Sequence, residues 1–153
     1  MSGAPDWAAD LGLPADVGIV ARLVRLDLFL RRILDEITAA EGIAVADYLV
    51  LAVVRRSPDH RATPGRICEV LDRTSGGMTA TLDRLTTAGW VTRSPDPADR
   101  RRVVVTCTPS GVAVAARINA ALHAWEDSLG LTAAQQRETA RSVDRLLDRL
   151  APG

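Results

Sequence analysis

The sequence predicts a mainly helical fold of the α+β class, six helices and one β-hairpin in the order helix, helix, helix, helix, hairpin, helix, helix. Three observations predict it. Apolar residues recur at helical spacing through both ends of the chain, three helices fit within fifty residues in its middle, and between them and the last two helices the apolar period drops toward two. The 153 residues, 47% apolar and 25% charged, suit one core-bearing module with an appended oligomerisation element. They exclude a disordered, collagen-like or disulfide-stapled chain.

From Asp16 to Glu41 the residues Ile19, Leu23, Leu26, Leu30, Ile33 and Ile37 form a helical stripe, widened by Val20, Val24, Leu28 and Phe29. So broad an apolar surface needs two neighbours, one of which a second subunit can supply. Gly42 stops this helix. Val45 to Arg56 reads as a buried helix ended by Ser57-Pro58. Thr63-Pro64 supplies an N-cap and a first-turn proline for a helix to Leu71, and Thr74-Ser75 opens another that ends at Gly89. This succession suggests a helix-turn-helix.

Beyond Gly89, Trp90 to Arg93 is a strand candidate, Ser94 to Arg101 is a loop, and Arg102 to Thr108 alternates with Val103, Val105 and Cys107 on one side. Thr108-Pro109 repeats the cap-plus-proline signal for a helix striped by Ala115, Ile118, Leu122, Trp125 and Leu129. Thr132 with Gln135 is a capping-box spacing before the last helix, striped by Ala140, Val143, Leu146, Leu147 and Leu150.

All 19 basic residues are arginine, balanced by 19 acids. Residues 1–54 hold 4 arginines against 8 acids, residues 55–102 hold 10 against 6, and residues 103–153 hold 5 against 5. The basic surplus lies in the middle third, over the helix-turn-helix and hairpin. Cys68 and Cys107 lack zinc-site or disulfide spacing, and His60 and His123 lack metal-ligand spacing, so no metal or cofactor is expected. No apolar run reaches membrane-spanning length and Met1 to Asp16 lacks a basic stretch, so a cytoplasmic chain without a membrane anchor is expected.

On the helix that opens at Ser75, Met78, Leu82 and Leu85 fall on one side, with Gly76, Ala80, Asp83, Arg84 and Thr87 opposite. The presented side begins Ser75-Gly76-Gly77 and continues with Thr79 and Ala80, although each glycine costs a helix about 1 kcal/mol relative to alanine. Small residues at a helix N-terminus allow close approach to a phosphate backbone and entry into a DNA major groove. The loose start of a helix after a turn is the bland alternative. Beside it, Asp99-Arg100-Arg101-Arg102 puts three guanidinium groups at the tip of a two-stranded wing, where one can enter a minor groove or all can be solvated.

The stretch Thr74 to Gly111, TSGGMTATLDRLTTAGWVTRSPDPADRRRVVVTCTPSG, resembles the signature of the MarR family of winged helix-turn-helix transcription factors. Its marks are a helix ending L-x-x-x-G, D-P-x-D-R-R, a valine-rich strand and T-P-x-G. The resemblance implies a homodimer with dimerisation helices at 16–41 and 108–150 and a DNA-binding module at 45–107, facing successive major grooves of a pseudo-palindromic operator. It implies that Thr74, Ser75, Gly76, Gly77, Thr79, Ala80 and Arg84 lie in or beside the major groove. Arg101 would enter the minor groove beside Arg100, with Asp99 orienting its guanidinium.

Other proteins of this type respond to small aromatic acids, for which Arg22, Arg25, Tyr48, His123 and Trp125 are the candidates here, although Tyr48 and Trp125 also match core spacing. Both cysteines read as buried and inert. The reading is therefore a dimeric DNA-binding regulator, a repressor relieved by a small aromatic or acidic ligand. The alternative is a winged-helix protein-interaction module without DNA binding, which has no use for a basic wing tip. An enzyme is not expected, since no nucleophile elbow or phosphate loop is present.

Overall fold

The computed structural model describes residues 18–97 and 99–150. Its elements are α1 (Ile19–Ala40), α2 (Val45–Arg56), a single 3-10 turn (Pro58–His60), β1 (Arg61–Ala62), α3 (Pro64–Leu71), α4 (Ser75–Thr87), β2 (Val91–Pro95), β3 (Val103–Cys107), α5 (Pro109–Ser128) and α6 (Ala133–Leu150). The predicted helix order holds. The predicted start of the first helix at Asp16 lies outside the described residues.

The signals expected to bound the helices act as such. Thr63 accepts the Arg66 N–H at 3.3 Å and caps α3, and Thr108 accepts the Gly111 N–H at 3.1 Å and caps α5. Thr132 and Gln135 close a reciprocal box, the Thr132 N–H donating to Gln135 Oε1 at 2.9 Å and the Gln135 N–H to Thr132 Oγ1 at 3.3 Å. Gly42, Gly89 and Gly130 end α1, α4 and α5 in the left-handed region.

The hairpin gains a third strand that the sequence did not announce. Two residues, Arg61 and Ala62, pair antiparallel with Thr106 and Val105, giving the order β1-β3-β2. The expected alternation on β3 is only partly right. Val105 and Cys107 are buried, but Val103 is 44% exposed where the strand leaves the loop, and Val104 is buried on the other face. Val104 lies in a cleft shared with Pro58, Ala62 and Pro97, so the segment carrying β1 covers the side that a bare hairpin would leave open.

The core is built on α2, which buries Val50, Leu51 and Val54 against Ile67 of α3, Leu82 and Leu85 of α4, Val91 and Val105 of the sheet, and Ala115 and Ile118 of α5. The ends of the chain join it little. In α1 only Thr38 is buried, its hydroxyl donating to the Leu34 carbonyl at 2.9 Å, and α6 buries no residue. The helical stripes are present as predicted, but within one chain most of their surface stays in solvent.

Gly111, in the first turn of α5, has no room for a side chain. A Cβ there would sit 2.1 Å from the Trp90 carbonyl oxygen and 3.0 Å from Cys107 Sγ. Gly111→Ala is therefore expected to lower the unfolding free energy by about 1–3 kcal/mol, reversing the usual gain for this exchange in a helix. Gly65→Ala in α3, where the added carbon meets nothing within 4 Å, should be neutral or raise it by up to about 1 kcal/mol. Urea denaturation of both variants checks the pair.

Candidate nucleic-acid interface

The α4 helix is attached by one stripe and presents the other. Met78, Thr81, Leu82 and Leu85 are buried, while Ser75, Gly76, Gly77, Thr79, Ala80, Asp83, Arg84 and Thr87 are exposed. A Cβ added at Gly76 or Gly77 meets nothing within 4 Å, so neither glycine is required by packing inside the chain. Thr74 sits at the N-cap, but its hydroxyl makes no capping bond, and the first turn holds no acid. Free N–H groups and an exposed, bulk-free face thus coincide at one helix end, an arrangement that suits an anion.

The turn before α4 is held by Asp72, which caps α3 in the left-handed region with φ 48°. Aspartate tolerates that region better than most residues. The turn after α4 is fixed by the start of α5. The Thr108 hydroxyl donates to the Gly89 carbonyl at 2.7 Å, and the Thr108 N–H donates to the Trp90 carbonyl at 3.0 Å. T-P-x-G is thus a clasp on the point where α4 becomes the wing.

The wing runs through β2 and β3 in the register Val91↔Cys107 to Pro95↔Val103. Its loop is closed by the Asp96 N–H donating to the Arg102 carbonyl at 2.8 Å. Inside it Asp99 is the organiser. Its carboxylate accepts the backbone N–H of Arg101 at 3.1 Å, an Asx-turn, and its carbonyl accepts the Arg102 N–H at 2.8 Å. Asp99 therefore shapes the backbone that carries Arg101. Arg100, Arg101 and Arg102 are all exposed.

Arg84 differs from expectation. Its Nε donates to Asp47 Oδ2 at 2.8 Å, and its Nη2 to Asp47 Oδ1 at 2.6 Å and to Thr81 Oγ1 at 3.1 Å. Hydrogen bonding and charge from Asp47 raise the Arg84 pKa above its ordinary value. The next residue back, Asp83, accepts from Arg93 Nη2 of β2 at 2.6 Å. Sequence reasoning missed Asp47 and Arg93. An acid in a helix first turn and an arginine on a strand carry no mark of partners 37 and 10 positions away.

The five residues suggested for a small ligand are not brought together in the single chain. Tyr48 is buried, its hydroxyl donating to Asn119 Oδ1 at 3.1 Å, and burial pushes its pKa up. Arg25 lies over the Phe29 ring of its own helix at 5.0 Å, and Arg22 is exposed on that helix. His123 pairs with Glu126 at 3.0 Å beside the α5–α6 turn, and Trp125 is half-buried. Cys107 is buried with its thiol pKa raised by that burial, as expected. Cys68 is only partly buried, because it lines a cleft of about 360 Å³ between α3, α4 and the wing.

Residues 41–102 match the family model described as MarR family. Over 101 residues the chain is 31% identical to the HTH-type transcriptional regulator PecS of Dickeya dadantii (strain 3937), covering 65% of this chain and 61% of that protein. Over 83 residues it is 37% identical to the multiple antibiotic resistance protein MarR of Escherichia coli (strain K12), covering 54% and 56%. The chain thus spans under two thirds of the length of both curated relatives.

Among solved structures, a mutant of E. coli MarR complexed with operator DNA superposes with a TM-score of 0.68 at 29% identity, over 87% of this chain and 94% of that one. A Mycobacterium tuberculosis MarR-family protein in complex with DNA gives 0.70 at 26%, over 86% and 98%. PecS is by name a transcriptional regulator, and both of these solved structures hold DNA. The family model thus covers α2 to α4, β2 and the wing loop, and the chain shares the fold of these DNA-complexed MarR-type structures.

Proposed function

We propose that this protein is a homodimeric, cytoplasmic, sequence-specific DNA-binding transcriptional regulator, a repressor whose two α4 helices enter successive major grooves of a pseudo-palindromic operator. One observation carries the reading. The uncapped, bulk-free N-terminal half of α4 is exposed on the element adjoining a wing whose tip bears Arg100, Arg101 and Arg102. Such a pair suits simultaneous reading of a major groove and the neighbouring minor groove. Residues 45–107 serve as the DNA-binding module, and the helices at 16–41 and 108–150 join the two copies.

The joining follows from the apolar surface left over. Val20, Leu28 and Phe29 of α1 are 69%, 64% and 45% exposed, and Leu147 and Leu150 of α6 are 59% and 74% exposed. A chain of this size rarely leaves so much contiguous apolar surface in water, and a twofold interface covers the same faces of both copies at once. Relief by a small aromatic or acidic ligand belongs to the proposal on the strength of the family resemblance.

The dimer predicts sedimentation at twice the chain mass at micromolar concentration, with Leu26→Asp or Leu146→Asp shifting the protein to monomer. DNA binding predicts that Arg101→Ala weakens binding to a specific duplex by about 1–3 kcal/mol in a gel-shift titration, and that Asp99→Ala, by loosening the loop, produces part of that loss. On α4, Gly77→Ala is expected to raise thermal stability by up to about 1 kcal/mol while reducing DNA affinity, and Gly77→Leu to abolish binding with the fold intact. A folded Gly77→Leu protein that binds as tightly as wild type would instead point to a protein-interaction module.

A further inference from the structure

We propose that Arg84 and Asp47 form a positioning clamp that, with Asp83 and Arg93, fixes the roll of α4 about its own axis, so that Arg84 sets DNA specificity without itself touching DNA. The proposal rests on the reading that α4 meets DNA and goes beyond it in the role it gives these four residues.

The α4 helix is anchored through Met78, Thr81, Leu82 and Leu85, which pack it on α2, α3 and β2. Apolar contacts are non-directional and fix the roll of a helix less sharply than bonds of set geometry do. Asp83 and Arg84 leave the helix about 100° apart, on opposite sides of the stripe. Asp83 reaches the wing, receiving Arg93 Nη2 at 2.6 Å, while Arg84 reaches α2, giving Nε and Nη2 to the two oxygens of Asp47 at 2.8 and 2.6 Å. The helix is thus held on both flanks by adjacent residues of opposite charge.

The Arg84–Asp47 pair is the directional half of this arrangement. The fork of a guanidinium on both carboxylate oxygens fixes an angle as well as a distance, which a single contact does not. The Asp47 side chain is 8% exposed, on the helix that carries the core, so the anchor point cannot drift with solvent. Thr81, buried on α4 itself, accepts a third bond from Arg84 at 3.1 Å and stiffens the guanidinium from behind. A cation so engaged has its charge matched within the chain and contributes little to counterion release from a phosphate backbone. A change in roll, by contrast, moves Gly76, Thr79 and Ala80 relative to base edges and acts on discrimination.

The test uses the full-length protein with Asp47→Asn, Arg84→Lys and Arg84→Gln. Duplexes are selected from a random-sequence library by wild type, and each protein is then titrated against the selected duplex and a random duplex at several salt concentrations. Amide hydrogen exchange is followed in the free proteins. Asp47→Asn and Arg84→Lys are expected to lose roughly tenfold or more of the preference for the selected duplex, the scale of one displaced base contact. Affinity for random duplex and the log–log salt slope should stay at wild-type values, and α4 amides should exchange faster than those of α5. Arg84→Lys keeps the charge and a helix-compatible side chain, so its loss of preference cannot be ascribed to charge or to failure of the fold.

Tighter binding by Asp47→Asn, wild-type preference in Arg84→Lys, or a slope shallower by about 0.9 in Arg84→Gln overturns the proposal and makes Arg84 a phosphate contact. A wild type that enriches no sequence overturns the DNA reading itself. Unchanged α4 exchange in Asp47→Asn overturns the clamp whether or not DNA is bound.

Discussion

The geometry of the part of the chain that holds α4 and the wing depends on one close contact, the seating of the Gly89–Trp90 backbone against the first turn of α5. The Thr108 hydroxyl works in two directions, accepting the Gly111 N–H that begins α5 and donating to the Gly89 carbonyl that ends α4. Gly111 leaves the space that the Trp90 carbonyl fills, and Gly89 takes a φ of 72° that few residues other than glycine adopt. The exposed helix and the wing that projects from it are thereby joined to the long helix behind them by backbone and two hydroxyls, since Ser110 Oγ also donates to the Gly89 carbonyl at 2.9 Å. Little of this joint depends on large side chains, so the surface in front can be spent on recognition.

Behind the joint, α2 carries the core and the outer helices leave most of their apolar faces in solvent. The division is visible in burial: α2 buries six of its residues, including the charged Asp47, whereas α6 buries none and α1 only Thr38. Glu41 at the end of α1 pairs with Arg117 of α5 at 2.8 Å, with its carboxyl held below the usual range by that arginine. That exposed pair orients the end of α1 without supplying a core for it. Hydrophobic surface at the two ends of the chain is therefore unused by the monomer, which is the physical ground for expecting a second copy.

Most of the architecture was legible because its signals are local. Caps at Thr63, Thr108 and Thr132, stops at Gly42, Gly89 and Gly130, and the stripe of Met78, Leu82 and Leu85 each depend on residues within a few positions of one another. What escaped depends on distance. A strand of two residues, Arg61–Ala62, has no periodicity to read and exists because β3 offers it an edge. That edge also explains the burial of Val104 on the face expected to be open. The bond from the Arg101 backbone amide to Asp99 could not be read from spacing alone, because it depends on the turn that the wing loop takes. Arg84 was legible as presented on α4 but not as bonded, since the pairing is made by the packing of α2 against α4.

The composition of α4 links these points. A helix that must approach another surface closely gives up side chains on that face, and Gly76 and Gly77 together cost about 2 kcal/mol of intrinsic helix stability relative to alanine. The exposed face returns none of it, since an added carbon at either glycine meets nothing. The compensation comes from elsewhere on the same thirteen residues and just past them: Leu82 and Leu85 in the core, Asp83 and Arg84 on the flanks, and beyond the helix Gly89 under the α5 clasp. The helix is thus open at its first turns and fastened at its last. That polarity suits the reading role proposed for α4, because one end is left small and uncapped while the end that holds the helix's angle is tied on three sides.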